Sequence, residues 1–384
     1  MTMQIIRRHL EPNLPPGRSA FLWGPRRVGK TYWIHHHFLT GQETVIDLLE
    51  TDAFADYAAR PALLRERWNG QFTVIDEVQK IPALLDEVHW LIERKNASFL
   101  LTGSSARKLR QSHANLLAGR AWRLELGPLS ATEVKGFDLE RSMWTGMLPP
   151  LFLSPDPDRD LRAYVADYLK EEIATEARQQ NVPAFAEFLR VAALTSSELL
   201  NYTNVARETG VSAKVVRTYF EILEDTMLAH RIPPWARSPD RRMIQTEKFY
   251  LFDVGIANYL ARRRPQIGSA DFGKSFEHWV LMELMNYRRY RQPELDIRFW
   301  RTSAGHEVDF ILGDMVVAIE VKGARRVHVG DLGGLTALRE SHRVKRAVVV
   351  CLEKEPRVLE SGIEIVPWRF FLERLWDGDL VPAS

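Results

Sequence analysis

Residues 20–31, AFLWGPRRVGKT, constrain the fold of this chain more than any other stretch. Gly24, Gly29, Lys30 and Thr31 satisfy the spacing G-x-x-x-x-G-K-[ST]. The apolar run 20–23 precedes the loop, and YWIHHHFL follows it. The pattern therefore asks for a strand, a tight loop and a helix in immediate succession. Glycines let backbone N–H groups close around phosphates, and the start of a helix adds a favourable dipole. In that frame Lys30 neutralises the β- and γ-phosphates of a nucleotide such as ATP and Thr31 holds Mg²⁺, with Arg27 of the same loop a further nucleotide contact.

Residues 1–135 continue the alternation of short apolar strands and helix-like stretches, with strands expected at 20–23, 44–48, 72–76, 99–102 and 122–126. This reads as a parallel sheet flanked by helices. QFTVIDEVQ, residues 71–79, ends its strand in Asp76-Glu77. Asp76 is suited to hold Mg²⁺ through water, and Glu77 to polarise the hydrolytic water. FLLTGSSARKL, residues 99–109, is another apolar strand ending in a small polar cluster. LLAGRAWRLELGPLS, residues 116–130, then brings Arg120. Arg120 reads equally as a finger acting on a neighbour's nucleotide or as one half of a structural salt bridge.

At 384 residues the chain accommodates two or three domains. Its hydrophobic fraction of 45% and charged fraction of 27% are those of a soluble globular protein. The single cysteine, Cys351, rules out an internal disulfide and a zinc-type cysteine pair, and AVVVCLE reads as a buried strand. No run has signal-peptide or membrane-span length, so the cytoplasm is expected and a membrane is not. Net charge is only +2, but basic residues cluster in the second half. They are Arg237, Arg241 and Arg242, then Arg262–Arg264, Arg288, Arg289, Arg291, Arg298 and Arg301, and finally Arg325 and Arg326 with His328. Such clusters are the footprint expected for phosphate backbones.

Residues 146–160, with Pro149-Pro150 and SPDPD, read as a loop or hinge, after which the pattern turns helical. VARETGVSAKVVRTYFEIL suggests two helices joined by a turn at Gly210, with Ser212 as N-cap. Val215, Val216, Tyr219, Phe220 and Leu223 form the apolar stripe, and Lys214 and Arg217 lie off it. A winged-helix-like module is expected, its second helix either reading DNA or serving as a packing or oligomer contact.

The hairpin HEVDFILGDMVVAIEVKG, residues 306–323, carries the other constellation. A two-residue turn at Gly313-Asp314 would set Asp309 opposite Ala318 and make Asp309 and Glu320 diagonal neighbours. Asp309, Glu320 and Lys322 would then share one face, with Val308, Phe310, Val317, Ile319 and Val321 on the other. A divalent cation would compensate the carboxylates, and a plain amphipathic hairpin with solvated charges is the other reading. The D…ExK spacing resembles the restriction-endonuclease-like, or PD-(D/E)xK, nuclease core. That resemblance implies that the acidic pair holds Mg²⁺ or Mn²⁺, that Lys322 assists the attacking water, and that Glu277 of GKSFEHWVLMEL adds a third acidic group. Val308 stands where the family name has proline.

In order, GPRRVGKT, IDEVQ, LTGSS and LAGR followed by D…ExK resemble a large group of bacterial and archaeal AAA-type ATPases with a C-terminal domain. The resemblance implies that Ser104, with Ser105 beside it, senses the γ-phosphate. The expected fold class is α/β: a P-loop AAA-type parallel sheet over 1–150, a helical winged-helix-like module over 160–265, and a restriction-endonuclease-like domain over 266–384. The expected function is ATP hydrolysis coupled to metal-dependent DNA cleavage. DNA, including branched forms and single/double-strand junctions, would be the partner, and the chain would form a homo-oligomer such as a hexameric ring. The rivals are an ATP-switched DNA-binding or regulatory protein with an inactive nuclease fold, and an ATPase that remodels a protein partner.

Overall fold

The computed structural model describes residues 6–104, 117, 119–169, 182–236 and 246–381. Ser105, Arg237, Arg241 and Arg242 lie outside the described residues. The chain divides into two compact units, one of residues 1–129 with 221–228, the other of 130–220 with 229–384.

The first unit is built on five parallel strands: β1 (Ser19–Trp23), β2 (Thr44–Asp47), β3 (Thr73–Asp76), β4 (Phe99–Gly103) and β5 (Ala121–Glu125). They run in the order β2-β3-β4-β1-β5. Each lies within a residue or two of its expected place, because buried parallel strands read as short continuous apolar runs. Phe21, Trp23, Ile75, Phe99 and Leu101 pack with Leu84, Leu85, Val88 and Leu91 of the helix Leu84–Lys95 in one core.

The second unit starts with short helices. The loop expected at 146–160 contains helical turns at Pro149–Phe152 and Pro157–Ala163. Proline breaks helices inside but opens them at the first position, where its missing N–H is not needed, and these prolines occupy the first turn. Helices Val182–Leu194 and Tyr202–Thr209 follow, with Gly210 left-handed at φ 68°, and then the helix Ala213–Asp225, whose residues from 221 are counted in the first unit. The Ser212 hydroxyl accepts from Val215 N at 3.3 Å, as an N-cap should. β6 (Glu198–Leu199), β7 (Ala229–Ile232) and β8 (Lys248–Leu251) form an antiparallel sheet ordered β6-β8-β7.

The long helix Ala270–Tyr290 is capped by Ser269, whose hydroxyl accepts from Phe272 N at 3.1 Å. Beyond it a six-stranded mixed sheet runs in the order β13-β14-β12-β11-β10-β9. Its strands are β9 (Ile297–Arg301), β10 (Glu307–Leu312), β11 (Val317–Val321), β12 (Arg346–Cys351), β13 (Arg357–Val358) and β14 (Glu364–Pro367). β11, β12 and β14 are parallel to one another, and β9, β10 and β11 are antiparallel. Cys351 is fully buried, and burial pushes its thiol up to about 11. No helix among the described residues is long and apolar enough to cross a membrane.

Glu283 of the long helix is buried and accepts from the Ser130 hydroxyl at 2.6 Å and from Ala131 N at 2.8 Å. Burial pushes its carboxyl up to about 7, with Ser130 opposing. The folded state thus keeps a proton that the unfolded chain releases near 4.5. Protons bound in excess by the folded state make stability fall as pH rises through that window. Glu283→Gln is expected to lose about 1 to 3 kcal/mol less than the wild type between pH 4.5 and 8. Thermal melts across that range measure it, and identical pH profiles would remove Glu283 from the account.

Candidate functional site: a phosphate loop and a buried charge cluster

The phosphate loop connects β1 to the helix Lys30–Trp33. Gly29 stands at φ 93°, a conformation that a side chain resists, and Trp33 N donates to Gly29 O at 2.8 Å to begin the helix. A Cβ at Gly24 would run into the Leu126 carbonyl oxygen. Lys30 is buried, and its Nζ donates to Gly24 O at 2.8 Å and to Pro25 O at 3.3 Å. The ammonium thus lies over the loop in which phosphates would bind. Arg27, left-handed at φ 65°, is exposed on the same loop.

Three separate motifs converge here because of strand order. β1 lies beside β4, and β4 beside β3, all parallel, so the loops leaving their carboxyl ends meet. Asp76 is buried at the end of β3. Its Oδ2 accepts from the Thr31 hydroxyl at 2.8 Å, and its Oδ1 from Glu77 N at 3.1 Å and from the Thr102 hydroxyl. A hydroxyl and a carboxylate in contact form an oxygen donor set that fits Mg²⁺. Glu77 is left-handed at φ 57°, an uncommon state for a side-chain-bearing residue that clusters at functional sites.

Two neighbours carry roles that the motif strings did not assign. Thr102 orients Asp76, and it also accepts from Glu77 N at 3.0 Å. Gln79 donates through Nε2 to the Glu77 carboxylate and to Ser104 Oγ at 3.3 Å, so it links the two residues proposed to face the γ-phosphate. Its Oε1 is buried without a partner. Both residues lie inside IDEVQ and LTGSS, but only the folded contact reveals what they do. Arg120 is paired with Glu93, whose carboxyl it holds below the usual range.

In the second unit the hairpin differs from expectation. The register is Phe310↔Ile319, Ile311↔Ala318 and Leu312↔Val317, so residues 313–316 form a four-residue turn. Gly313 and Met315 are both left-handed, and Met315 is buried, which draws the longer turn inward. Continuing that register by one pair sets Asp309 opposite Glu320, not Ala318. A two-residue slip preserves the faces, since side chains alternate with period two. A bulge in β10 between Val308 and Ile311 breaks strict alternation, and these two residues enter the same core cluster. Val308 therefore does not follow the expected face pattern.

The carboxylates are buried, with Asp309 8% and Glu320 7% exposed. Asp309 Oδ2 accepts from Val321 N at 2.8 Å, and Lys322 Nζ lies 2.7 Å from Glu320 Oε1. Burial, with Asp309 adding repulsion, pushes Glu320 up to about 8 against the opposing Lys322. Burial also raises Asp309, with Lys248 opposing. Glu277 joins from the long helix, pushed up to about 7 by burial against Lys248.

Lys248 was not anticipated. It is 2% exposed, lies 3.1 Å from Glu277 and 3.6 Å from Asp309, and pairs with Glu307. Burial alone would lower its pKa, but Glu277 and the other acidic neighbours hold it well above the usual value. Tyr250, two residues along β8 and so on the same face, donates to Glu277 at 2.6 Å. Arg301 completes the network with Glu307 at 2.8 Å. A lysine opening the apolar strand KFYL was the available signal, yet nothing local says what it meets.

Glu320 Oε2 is buried without a hydrogen-bond partner, an orphan that a hard cation would satisfy. Among the described residues, however, no three acidic, histidine or cysteine groups already have metal-holding geometry. The Lys248 ammonium lies between Glu277 and Asp309 instead. The carboxylates left to offer a cation are Asp309 and Glu320, since Glu277 is engaged by lysine and tyrosine.

Of the nucleic-acid candidates, Lys214 and Arg217 are exposed, and the Arg217 guanidinium lies over the Tyr202 ring, 4.8 Å from its centroid. Arg325 and Arg326 are exposed after β11.

Comparison with known proteins gives three consecutive matches. Residues 17–135 match a family model described as an AAA domain. Residues 136–267 match a Domain of unknown function (DUF8612), and residues 272–371 a Domain of unknown function (DUF4143). The chain is 28% identical over 304 residues to the uncharacterized protein Rv2008c of Mycobacterium tuberculosis, covering 76% of this chain and 66% of that protein. The same figures hold for the uncharacterized protein Mb2031c of Mycobacterium bovis. The uncharacterized protein MJ1544 of Methanocaldococcus jannaschii is 22% identical over 349 residues, covering 80% of this chain and 75% of that protein. The chain spans 66% of the length of the two mycobacterial relatives, just under two thirds. With the five-stranded parallel sheet and its phosphate loop, the match over residues 17–135 supports an AAA-type ATPase domain, which implies ATP binding.

Proposed function

We propose that this chain is an ATP-dependent DNA-processing enzyme, in which ATP hydrolysis at the phosphate loop accompanies metal-dependent phosphodiester cleavage in the second unit. The observation that carries the nuclease part is the buried Asp309–Glu320 pair on a hairpin with half-buried Lys322 beside it, and with Glu320 Oε2 left without a partner. Lys30 neutralises the β- and γ-phosphates, Thr31 and Asp76 hold Mg²⁺, Glu77 takes the proton of the attacking water, and Ser104 faces the γ-phosphate. Arg120 acts as a finger on a neighbouring subunit only by leaving Glu93. In the second unit Asp309 and Glu320 hold Mg²⁺ or Mn²⁺, and Lys322 orients the water. The bound cation supplies stabilisation of the charge that builds on the phosphate oxygens.

The helices flanking Gly210 and the β6-β8-β7 sheet serve as a winged-helix-like module over about 160–265, between an ATPase domain and a nuclease-like domain from 266. DNA, including branched forms and junctions, is the partner, a homo-oligomeric ring the working assembly, and the cytoplasm the compartment. A second reading has its own support. Lys248 already meets the charge of Glu277, Glu307 and Asp309, as a nuclease fold kept only to hold DNA would allow.

Incubation of linear, circular and branched DNA with Mg²⁺ or Mn²⁺, with and without ATP, separates the two. Asp309→Ala is expected to lower cleavage about 10²- to 10³-fold while ATP hydrolysis continues, because one carboxylate cannot retain the cation. A wild-type protein that cuts no DNA form under any of these conditions would leave the DNA-holding reading. A variant that cuts as well as wild type would remove Asp309 from the site.

A further inference from the structure

The loops that leave β11 and β12 line an open surface cavity of about 570 Å³. Arg325, Arg326, His328, Lys354 and Arg357 line it, with Glu353 the one carboxylate. Glu353 is already satisfied. Its Oε1 accepts from Val327 N at 2.8 Å, and the Arg357 guanidinium donates to its two oxygens at 2.8 and 2.9 Å. Arg357 Nη2 also donates to Val327 O at 3.0 Å. These bonds tie the two loops into one wall, which Leu352 N extends by donating to Ala324 O at 3.0 Å.

Several other basic residues of the second unit are engaged by their own neighbours. Arg298 pairs with Asp296 at 2.6 Å and Arg301 with Glu307 at 2.8 Å, while Arg264 lies over the Trp144 ring. Among the described residues no ion pair engages Arg325, Arg326 or Lys354, all of them exposed. Like charges gathered around a concavity repel one another and focus a positive field that favours an anion. Position adds to this. β11 and β12 are parallel neighbours, and open α/β sheets bind ligands in the crevice outside the carboxyl ends of such strands. Glu320 and Lys322 sit at the same end of β11, just before Arg325. No Phe, Tyr or Trp lines the cavity, so it offers cations for phosphates and no platform for stacked bases.

We infer that this cavity clamps the phosphate backbone of a DNA strand beside the Glu320–Lys322 cluster, without regard to base sequence. The inference rests on the DNA-processing reading and adds the track on which the strand lies. The test uses the full chain in EDTA, where metal-dependent cleavage is silent, and a fluorescent random-sequence duplex read by anisotropy over a range of salt. For the combined variant Arg325→Ala, Arg326→Ala, Lys354→Ala, affinity is expected to fall at least about tenfold. The slope of log K against log salt should flatten by roughly 2 to 3, since each lost phosphate contact removes about 0.9. A thermal melt checks folding, and Lys354→Glu alone, on an exposed loop, supplies the readout if the triple variant does not fold.

Unchanged affinity and slope overturn the inference, as does a wild type that binds no duplex. Inorganic phosphate is titrated in parallel. If phosphate binding is lost in the variant while duplex binding is not, the cavity takes a free anion and the inference falls. Binding through the cavity by a wild type that cuts no DNA would sink the nuclease reading and leave the clamp standing.

Discussion

Lys30→Ala is expected to lower ATP affinity by about 10²-fold or more, because a charge-assisted bond to phosphate contributes about 1.5–3 kcal/mol before the cost of leaving phosphate charges unmet. The side chain already lies in a buried loop against Gly24 O and Pro25 O, so no other flexible cation need move to serve in its place. Glu77→Gln makes the contrast. It keeps the shape beside Gln79 but loses the carboxylate, so ATP should bind while turnover drops about 10²- to 10⁴-fold. Calorimetry of nucleotide binding and a phosphate-release assay distinguish the two variants. Wild-type affinity in the Lys30 variant would refute the phosphate-loop assignment, and normal turnover in the Glu77 variant would remove Glu77 as the base.

Lys248→Met should destabilise the second unit by roughly 3–5 kcal/mol at pH 8, the usual cost of breaking a buried ion pair from one side. Its ammonium lies beside Glu277 and Asp309, both buried and both with carboxyls raised even in its presence. Without it, those groups keep their protons in the folded state up to higher pH, while in the unfolded chain they release them near 4 to 4.5. The folded state then holds the excess protons, so the penalty grows as pH rises and shrinks toward pH 4.5. Melts of wild type and variant at pH 5 and pH 8 read this directly. Equal stability at pH 8 would mean that the ammonium is not the counter-charge. Added Mn²⁺ should recover part of the loss in the variant if the carboxylates accept a divalent cation in its place.

The position of the ATP-site candidates at strand ends was legible in the sequence. Gly24, Gly29, Lys30, Thr31, Asp76, Glu77 and Ser104 come together because each ends or follows a parallel strand, and an apolar run followed by a turn marks that position locally. The hairpin was legible only to within a two-residue slip. A slip of two preserves the pleat along β11, but the bulge between Val308 and Ile311 removes the alternation on which the expected face of Asp309 rested, and the turn depended on burial of Met315 and on left-handed backbone at Gly313 and Met315. The bulge between Val308 and Ile311 left no local trace, because it depends on how β9 pairs with β10.

Sequence alone determined the five strands of the first unit and the chemistry available at their ends, because propensity, spacing and turn residues act over a few neighbours. Tertiary structure alone decided which charges meet. Lys248 comes from a three-stranded sheet, Glu277 from the long helix, and Glu307 and Asp309 from the hairpin. Their energies depend on distance and on exclusion of water, and neither quantity exists until distant segments pack. The same holds for Gln79, whose amide gains meaning only when β3 and β4 bring Glu77 and Ser104 to either side of it.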